Sequence, residues 1–497
     1  MNEVMASVRH FQPELVLTAA LLLVVVVDAV GAAWRNRAMQ LLTVAGLAGA
    51  LVVALRDRQF AGELFHGMVV ADPMGSFFKA LLLGASLLVV LAFNFKNSRE
   101  LHGLGQGEFY ALLLAVTLSN LLLATANDLA MLYLALEMVS ITSYVMVAYI
   151  KGDRLSNEAS LKYILFGAVS TGTMLYGLTL LYGLTGTTKL PEIGAALATG
   201  VTDETRFAAY AITFMVFAGF GFKTAVVPFH FWCPDVYHGA PTPVTAFLSV
   251  APKAAGFAIM ARFFFQGLAT GSPGAWDQVV AIDWPQVLMV ISALTMTVGN
   301  VAALTQTNMK RLLAYSSIAH AGYIMMGVVA LSENGARAMM IYLLAYLFMN
   351  LGAFLVVTLI HGHEGTFDLR DYPGLYRRAP FLTLAMAVFL FSLMGIPPLV
   401  GFMGKLYVFA AIVEKGQAYY WYAVVGAVNA AIAAYYYARV LKTMAIDAPA
   451  EEKPALVLPT WDTAWVALFL AANVLPLLFW AKIEEFARTA TAFYAAR

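Results

Sequence analysis

The sequence predicts an all-α integral membrane protein of about fourteen transmembrane helices. Three observations carry this. Apolar residues make up 61% of the chain and charged ones only 12%, about half the charged share of a soluble domain. Runs of about twenty apolar residues, the length that crosses a bilayer, recur from one end to the other. The runs are continuous, whereas barrel strands would be short and alternating. In lipid every backbone polar group must be satisfied internally, so such runs are helices.

In order, the predicted spans are 13–33, 38–55, 76–95, 108–125, 128–149, 160–184, 207–230, 242–268, 286–304, 310–331, 336–360, 381–411, 418–443 and 462–482. The first resembles a signal peptide in length. It lacks a charged segment leading directly into a short apolar core, so it reads as a retained helix. The gaps Thr185–Arg206, His361–Pro380 and Ile446–Pro459 are too short to fold alone and are expected to cap the bundle.

Loop cations predict the orientation. Alternate loops hold Arg35 and Arg37, Lys96 and Arg99, Lys151 and Arg154, Lys310 and Arg311, then Arg370, Arg377 and Arg378, then Arg439, Lys442 and Lys453. The opposite loops hold Arg56 and Arg58, Lys189 and Arg206, Arg337, and Lys415. The richer set is expected on the cytoplasmic side of a bacterial inner membrane, with both termini periplasmic.

The net charge of +1 points to no nucleic acid. The single cysteine, Cys233, excludes an internal disulfide and a cysteine-ligated cluster. No glycine-rich nucleotide fingerprint follows a strand. No redox cofactor is therefore expected in this chain. His238, His361 and His363 read as loop residues, and the HGHE run has no further ligands nearby, so no metal site is expected either.

A charge at mid-bilayer costs several kcal/mol, so ionisable residues inside apolar runs are functional candidates. Five qualify: Glu137 in LYLALEMVSITSYV, Lys162 in SLKYILFGAVSTG, Lys223 in FGFKTAVVPFHFW, Lys253 in FLSVAPKAAGFAIM and Lys405 in GIPPLVGFMGKLYVF. Lys162 stands early in its span, where a lysine can also snorkel to the interface. Three lysines sit beside helix breakers: Pro228 after Lys223, Pro252 before Lys253, and Pro397, Pro398, Gly401 and Gly404 before Lys405. Proline opens the helical ladder, and open backbone at membrane depth is tolerated only in a protein interior or at a cavity. Broken helices that carry a charge, twice in one chain, are a transporter pattern. They predict interruptions near Pro228 and near Pro397–Pro398.

A buried lysine loses its proton to desolvation and keeps it beside a carboxylate. Glu137 could thus hold the proton on Lys223, with Lys253 and Lys405 extending a relay. His230 and His320 are further relay candidates, since histidine exchanges protons near neutral pH.

These motifs resemble a known family. KTAVVPFHFWCPDVYHGAPTPVTAFLSVAPKAAG, NMKRLLAYSSIAHAGY and GIPPLVGFMGKLYVF are similar to the signatures of the antiporter-like membrane subunits of respiratory complex I, across about residues 105 to 445. Within that family the VAPKAAG run, Lys405 where another branch would carry glutamate, and the absence of a long lateral helix resemble the N-type branch, the counterpart of mitochondrial subunit two. The resemblance implies two inverted five-helix repeats, at 106–268 and 286–443, between an N-terminal three-helix segment (1–105) and a C-terminal loop and helix (444–497). It implies that Glu137 and Lys223 form an interacting pair, that Lys253 is the central lysine and Lys405 the terminal exit residue. Lys162 matches a lysine of less defined role, and His238 none. It further implies a proton-translocating subunit of an NADH:quinone oxidoreductase. NADH, FMN, iron–sulfur clusters and quinone would then belong to partner subunits, and the chain's neighbours would be lipid and other antiporter-like and small membrane subunits. The competing readings are a subunit of a multi-subunit Na+/H+ antiporter and one of a related hydrogenase or ferredoxin-driven complex. A purely structural scaffold is disfavoured, because apolar residues would replace the buried lysines more cheaply.

Overall fold

A computed structural model describes residues 2–30, 35–58, 60–93, 99–101, 103–272, 275–278, 283–449 and 454–495. Lys96, Lys453 and the last residues of the first predicted span, 31–33, lie outside them. The N-terminal segment contains a short helix α1 (Asn2–His10), then α2 (Gln12–Val30), α3 (Arg35–Arg56) and α4 (Pro73–Ala92). There follow α5 (Gln106–Thr125), α6 (Leu129–Val147), α7 (Arg154–Thr185), the short α8 (Leu190–Gly200), α9 (Asp203–Thr224), α10 (Trp232–Gly239) and α11 (Thr242–Arg262). The second half holds α12 (Trp284–Ala303), α13 (Met309–Val329), α14 (Glu333–Glu364), the single turn α15 (Leu375–Arg378), α16 (Pro380–Met394), α17 (Val400–Val413) and α18 (Tyr420–Ala445). Helices α19 (Thr460–Val474) and α20 (Trp480–Ala495) close the chain.

Among the described residues, 13 helices are long and apolar enough to cross a membrane. The predicted span 381–411 is instead two short apolar helices, α16 and α17, which together supply the remaining crossing. Several helices begin where a polar residue precedes an apolar run: the side chains of Asp72, Asp128, Asp153, Asn308 and Ser332 accept backbone N–H bonds at the starts of α4, α6, α7, α13 and α14. Such caps satisfy amides that have no partner within the helix. Two short antiparallel hairpins, absent from the prediction, pair Gly62–Leu64 with Val69–Ala71 and Ala269–Ser272 with Ala275–Gln278.

Both predicted interruptions exist. Helix α9 ends at Thr224, Ala225 adopts a left-handed conformation (φ 57°), and α10 starts only at Trp232. Helix α16 ends at Met394, Gly395 is left-handed (φ 86°), and α17 starts at Val400. Glycine takes that conformation freely; at Ala225 it costs about 1–2 kcal/mol. Pro252 behaves differently, because α11 runs through it without a break.

The two halves share several local features. Leu129 N donates to Thr188 O and Leu190 N to Asn127 O; in the second half Met309 N donates to Phe367 O and Leu369 N to Thr307 O. Helices α7 and α14 are each 32 residues long and end at left-handed glycines, Gly186 and Gly365. Helix α11 is the axis of the bundle: every residue from Thr242 to Arg262 is buried, and it packs against α4, α5, α9 and α14.

Candidate functional site

The central helix carries Lys253, which is 3% exposed. Its Nζ donates to Ser317 Oγ at 2.5 Å and to the Ser317 carbonyl at 3.3 Å, both on α13. The same Nζ lies 5.7 Å from the centre of the Tyr237 ring on α10, a cation–π distance. The break between α9 and α10 thus delivers an aromatic face to the lysine. Among the described residues no carboxylate pairs with Lys253, so its proton can leave without parting an ion pair.

Lys223 ends α9 and is 1% exposed. Its Nζ donates to Ser140 Oγ on α6 at 2.9 Å. Glu137 stands one turn away on α6 and acts on Lys223 through its charge, but no ion pair closes between them. Nor is Glu137 fully buried: it is partly exposed on a lateral face of α6 beside the exposed Leu134, Met138 and Ile141. Room for the Lys223 stem comes from Gly256 on α11, one turn beyond Lys253; a Cβ there would lie 3.0 Å from Lys223 Cγ. Glycine at this position therefore brings the two lysines onto adjoining turns of two packed helices.

Lys405, 5% exposed, lies on α17 and reaches back across the second break. Its Nζ donates to the carbonyls of Met394 at 2.7 Å and Leu393 at 3.0 Å. These are the open C-terminal carbonyls of α16, where the helix dipole favours a cation. The ammonium also lies 4.8 Å from the centre of the Tyr323 ring. His320 bridges towards Lys253. It is one turn beyond Ser317 on α13, and the charges of both Lys253 and Lys405 act on its ring. Its Nδ1 is 2.9 Å from Tyr342 Oη and its Nε2 3.4 Å from Tyr437 Oη. Ser317 and Glu137 each stand nine residues after their helix caps, Asn308 and Asp128, and His320 and Ser140 each twelve. The two halves therefore place their polar side chains at one shared register.

Not every sequence candidate joins this line. Lys162 is not a buried mid-membrane charge: its side chain is 37% exposed and pairs with Glu158 at 2.8 Å and Asp235 at 2.7 Å. Helix α7 begins at Arg154, so Lys162 is only about two turns in and reaches the polar end of the bundle. Asp235 also holds Arg311 at 2.5 Å. His230 is buried within the first break, with no hydrogen bond to its Nδ1. His238 lies on α10, and His361 and His363 in the last turn of α14, rather than in loops. Among the described residues no cluster of three or more His, Cys, Asp and Glu side chains could hold a metal ion.

Sequence reasoning missed Ser140, Ser317 and the tyrosines at 237, 323, 342 and 437, whose chemistry depends on what lies opposite. It also missed a clamp outside the spans. Glu100 accepts from Thr242 N at 2.7 Å, at the start of α11, and lies 3.4 Å from buried Lys310. Burial alone would raise the Glu100 carboxyl; Lys310 and the bonds from Thr242 outweigh it and hold it below the usual value.

The transmembrane family described as NADH:quinone oxidoreductase/Mrp antiporter matches residues 126–432. The chain is 46% identical to NADH-quinone oxidoreductase subunit N of Anaeromyxobacter sp. (strain Fw109-5), over 96% of its own length and 95% of the relative's. It is 40% identical to the protein of the same name from Chlorobium chlorochromatii (strain CaD3), over 98% and 96%. Among solved structures, a chain of respiratory complex I from Thermus thermophilus with bound aureothin matches with a TM-score of 0.78 and 32% identity, over 95% of this chain and 98% of that one. A chain of the Mrp complex from Dietzia sp. DQ12-45-1b matches with a TM-score of 0.83 over 98% and 97%, at 20% identity, a likeness of fold alone.

Proposed function

Because this chain belongs to the subunit N family of NADH-quinone oxidoreductases, we propose that it moves protons along a line that runs from the partly exposed Glu137 through the buried Lys223, Lys253, His320 and Lys405. Electron transfer elsewhere in the enzyme drives the movement. The chain is a multi-pass membrane subunit of an enzyme complex. NADH, FMN, iron–sulfur clusters and quinone are assigned to partner subunits, and other membrane subunits of the complex to its lateral faces. The loop cations favour a bacterial inner membrane with both termini periplasmic. The shared local features of the two halves favour repeats at 106–268 and 286–443.

The observation that carries this reading is the row of three buried lysines, each held by neutral acceptors. In the proposed cycle Lys223 moves between Ser140 and Glu137. Drawn to Glu137, its charge recedes from Lys253, which keeps a proton. Returned to Ser140, it repels the Lys253 ammonium. Once Lys405 has released its own proton outward, the proton of Lys253 Nζ passes through the Ser317 hydroxyl and the His320 ring, with its two tyrosine hydroxyls, to the neutral Lys405 amine. Both broken helices serve this line: one presents Tyr237 to Lys253, the other presents open carbonyls to Lys405. Lys162 and His230 lie off it and are proposed only as supports of the flanking ends.

An isolated complex carrying Lys405→Met tests the reading. The expected result is an assembled complex in which quinone-linked NADH oxidation and proton translocation fall together. Full rates of both would remove Lys405 from the path. An Mrp-type antiporter shares the fold, and purification of the chain in a complex without NADH oxidation would favour that alternative.

A further inference from the structure

A second set of buried charges lies in the N-terminal helices, away from the Lys253–Lys405 line. Glu14 on α2 is 0% exposed and Lys79 on α4 is 5% exposed; Lys79 Nζ lies 2.8 Å from Glu14 Oε1. Neither Glu14 oxygen accepts a hydrogen bond of good geometry. A buried ion pair whose remaining lone pairs go unmet costs more than an apolar pair of similar volume, so packing alone does not account for it. Asp72 does not compete for Lys79. Both its oxygens are taken at 2.7 Å by Arg262, the last residue of α11, and both side chains are fully buried.

Lys79 opens to one face. A cavity of about 10 Å³, room for about one water, is lined by Lys79, Asp72, Ser76 and Thr125 on the inside and by His10 and Asp57 at its mouth. His10 Nδ1 is 2.8 Å from Asp57 Oδ2, with these side chains 28% and 37% exposed.

Inward, the polar row continues. Lys79 and Ser86 stand seven residues apart on α4, which places them on one face, and Asp72 caps the start of the helix. On α5, Ala124 accepts the Arg262 Nε–H at 2.8 Å, and one turn deeper Asn120 is 0% exposed with neither amide atom bonded. One turn deeper again, Thr117 Oγ1 meets Ser86 Oγ at 2.8 Å. Thr117 is about 10 Å below Ala124 along α5, and Lys253 is about 13 Å below Arg262 along α11, so the row reaches close to the depth of the central lysine.

We propose that the interface of α4, α5 and α11 is a second, outward proton outlet, leading from the depth of Lys253 past Thr117–Ser86 and Asn120 to the Glu14–Lys79 pair and the His10–Asp57 mouth. The proposal rests on the relay reading above and adds an outlet to it. In the outlet step an N–H bond of the Lys79 ammonium breaks and an O–H bond forms on a water that enters the cavity from the bulk. That water passes a proton to the Asp57 carboxylate and thence to bulk. Lys79 is left neutral until a proton arrives by way of Asn120, and no electron moves. Glu14 draws the incoming proton.

The intact complex in liposomes carries the test. Glu14→Gln/Lys79→Met leaves no unpaired charge. NADH-driven proton translocation and quinone reduction should fall about tenfold, the equivalent of about 1.4 kcal/mol. Should the double variant fail to assemble, Asp57→Asn at the exposed mouth should produce the same fall in milder form. Wild-type translocation in the double variant, or in Asp57→Asn where only that assembles, overturns the outlet. Lys253→Met is run beside them. If it lowers both rates while the outlet variants keep theirs, the outlet alone fails; if Lys253→Met keeps full rates, the relay fails and the outlet with it.

Discussion

Removing one hydroxyl, by Ser317→Ala, reaches the centre of the relay with little structural disturbance. Ser317 Oγ accepts from Lys253 Nζ at 2.5 Å and is the only side-chain acceptor for that ammonium among the described residues. The Ser317 carbonyl at 3.3 Å would remain. A hydrogen bond to a charged group contributes about 1.5–3 kcal/mol, which corresponds to about ten- to 150-fold in the population of the charged lysine. The packing change is one oxygen atom, so the complex should assemble in normal amount. NADH-driven acidification and quinone reduction, measured together in membrane vesicles, should both fall about tenfold, and Ser317→Thr should recover most of the loss. Equal rates in Ser317→Ala and wild type would show that the Lys253–Ser317 contact takes no part in proton transfer.

Other outcomes follow from the same geometry. Gly256→Ala puts a Cβ 3.0 Å from both Lys223 Cγ and Thr224 Cγ2; it should displace Lys223 from Ser140 and slow pumping without loss of assembly, and an unchanged rate would mean the stem yields freely. Lys162→Met should change pumping less than about fivefold, since a partly exposed pair is worth about 0–1 kcal/mol and Arg311 still holds Asp235; a loss of tenfold or more would return Lys162 to the relay. Glu100 has a lowered folded value, so its clamp stabilises above the unfolded carboxyl value, near pH 4.5, and the gain is lost as pH falls through the folded value. Thermal melting of the complex should show this loss below about pH 4.5, and Glu100→Gln should flatten it; identical acid profiles would remove the clamp.

The residues legible in the sequence were those that violate a strong rule. Lys223, Lys253 and Lys405 stand out because charge is costly inside an apolar run, and Pro228 and Pro397–Pro398 because proline breaks a helical ladder. Proline alone is not decisive, since α11 continues through Pro252. The charge rule overreached at Lys162, where the true start of α7 brings the ammonium within reach of Asp235. Glu137 was expected in the interior but lies partly exposed on a lateral face, because three residues leave it about 60° around α6 from Ser140 and a linear reading does not fix which face turns inward. Ser140 and Ser317 were illegible, since a helical serine commonly bonds its own backbone. Asp72 with Arg262, and Glu14 with Lys79, pair across long stretches of chain, and only the tertiary arrangement around α4 reveals them.

The central claim is that Lys253 passes protons. Intact complex reconstituted in liposomes with wild-type chain, Lys253→Arg and Lys253→Met allows NADH oxidation and internal acidification to be followed in one sample. The account predicts normal assembly for all three, and a parallel collapse of both rates in Lys253→Met. Lys253→Arg should be nearly as slow, because a guanidinium in that position does not give up its proton. Full, coupled rates in Lys253→Met would contradict the account.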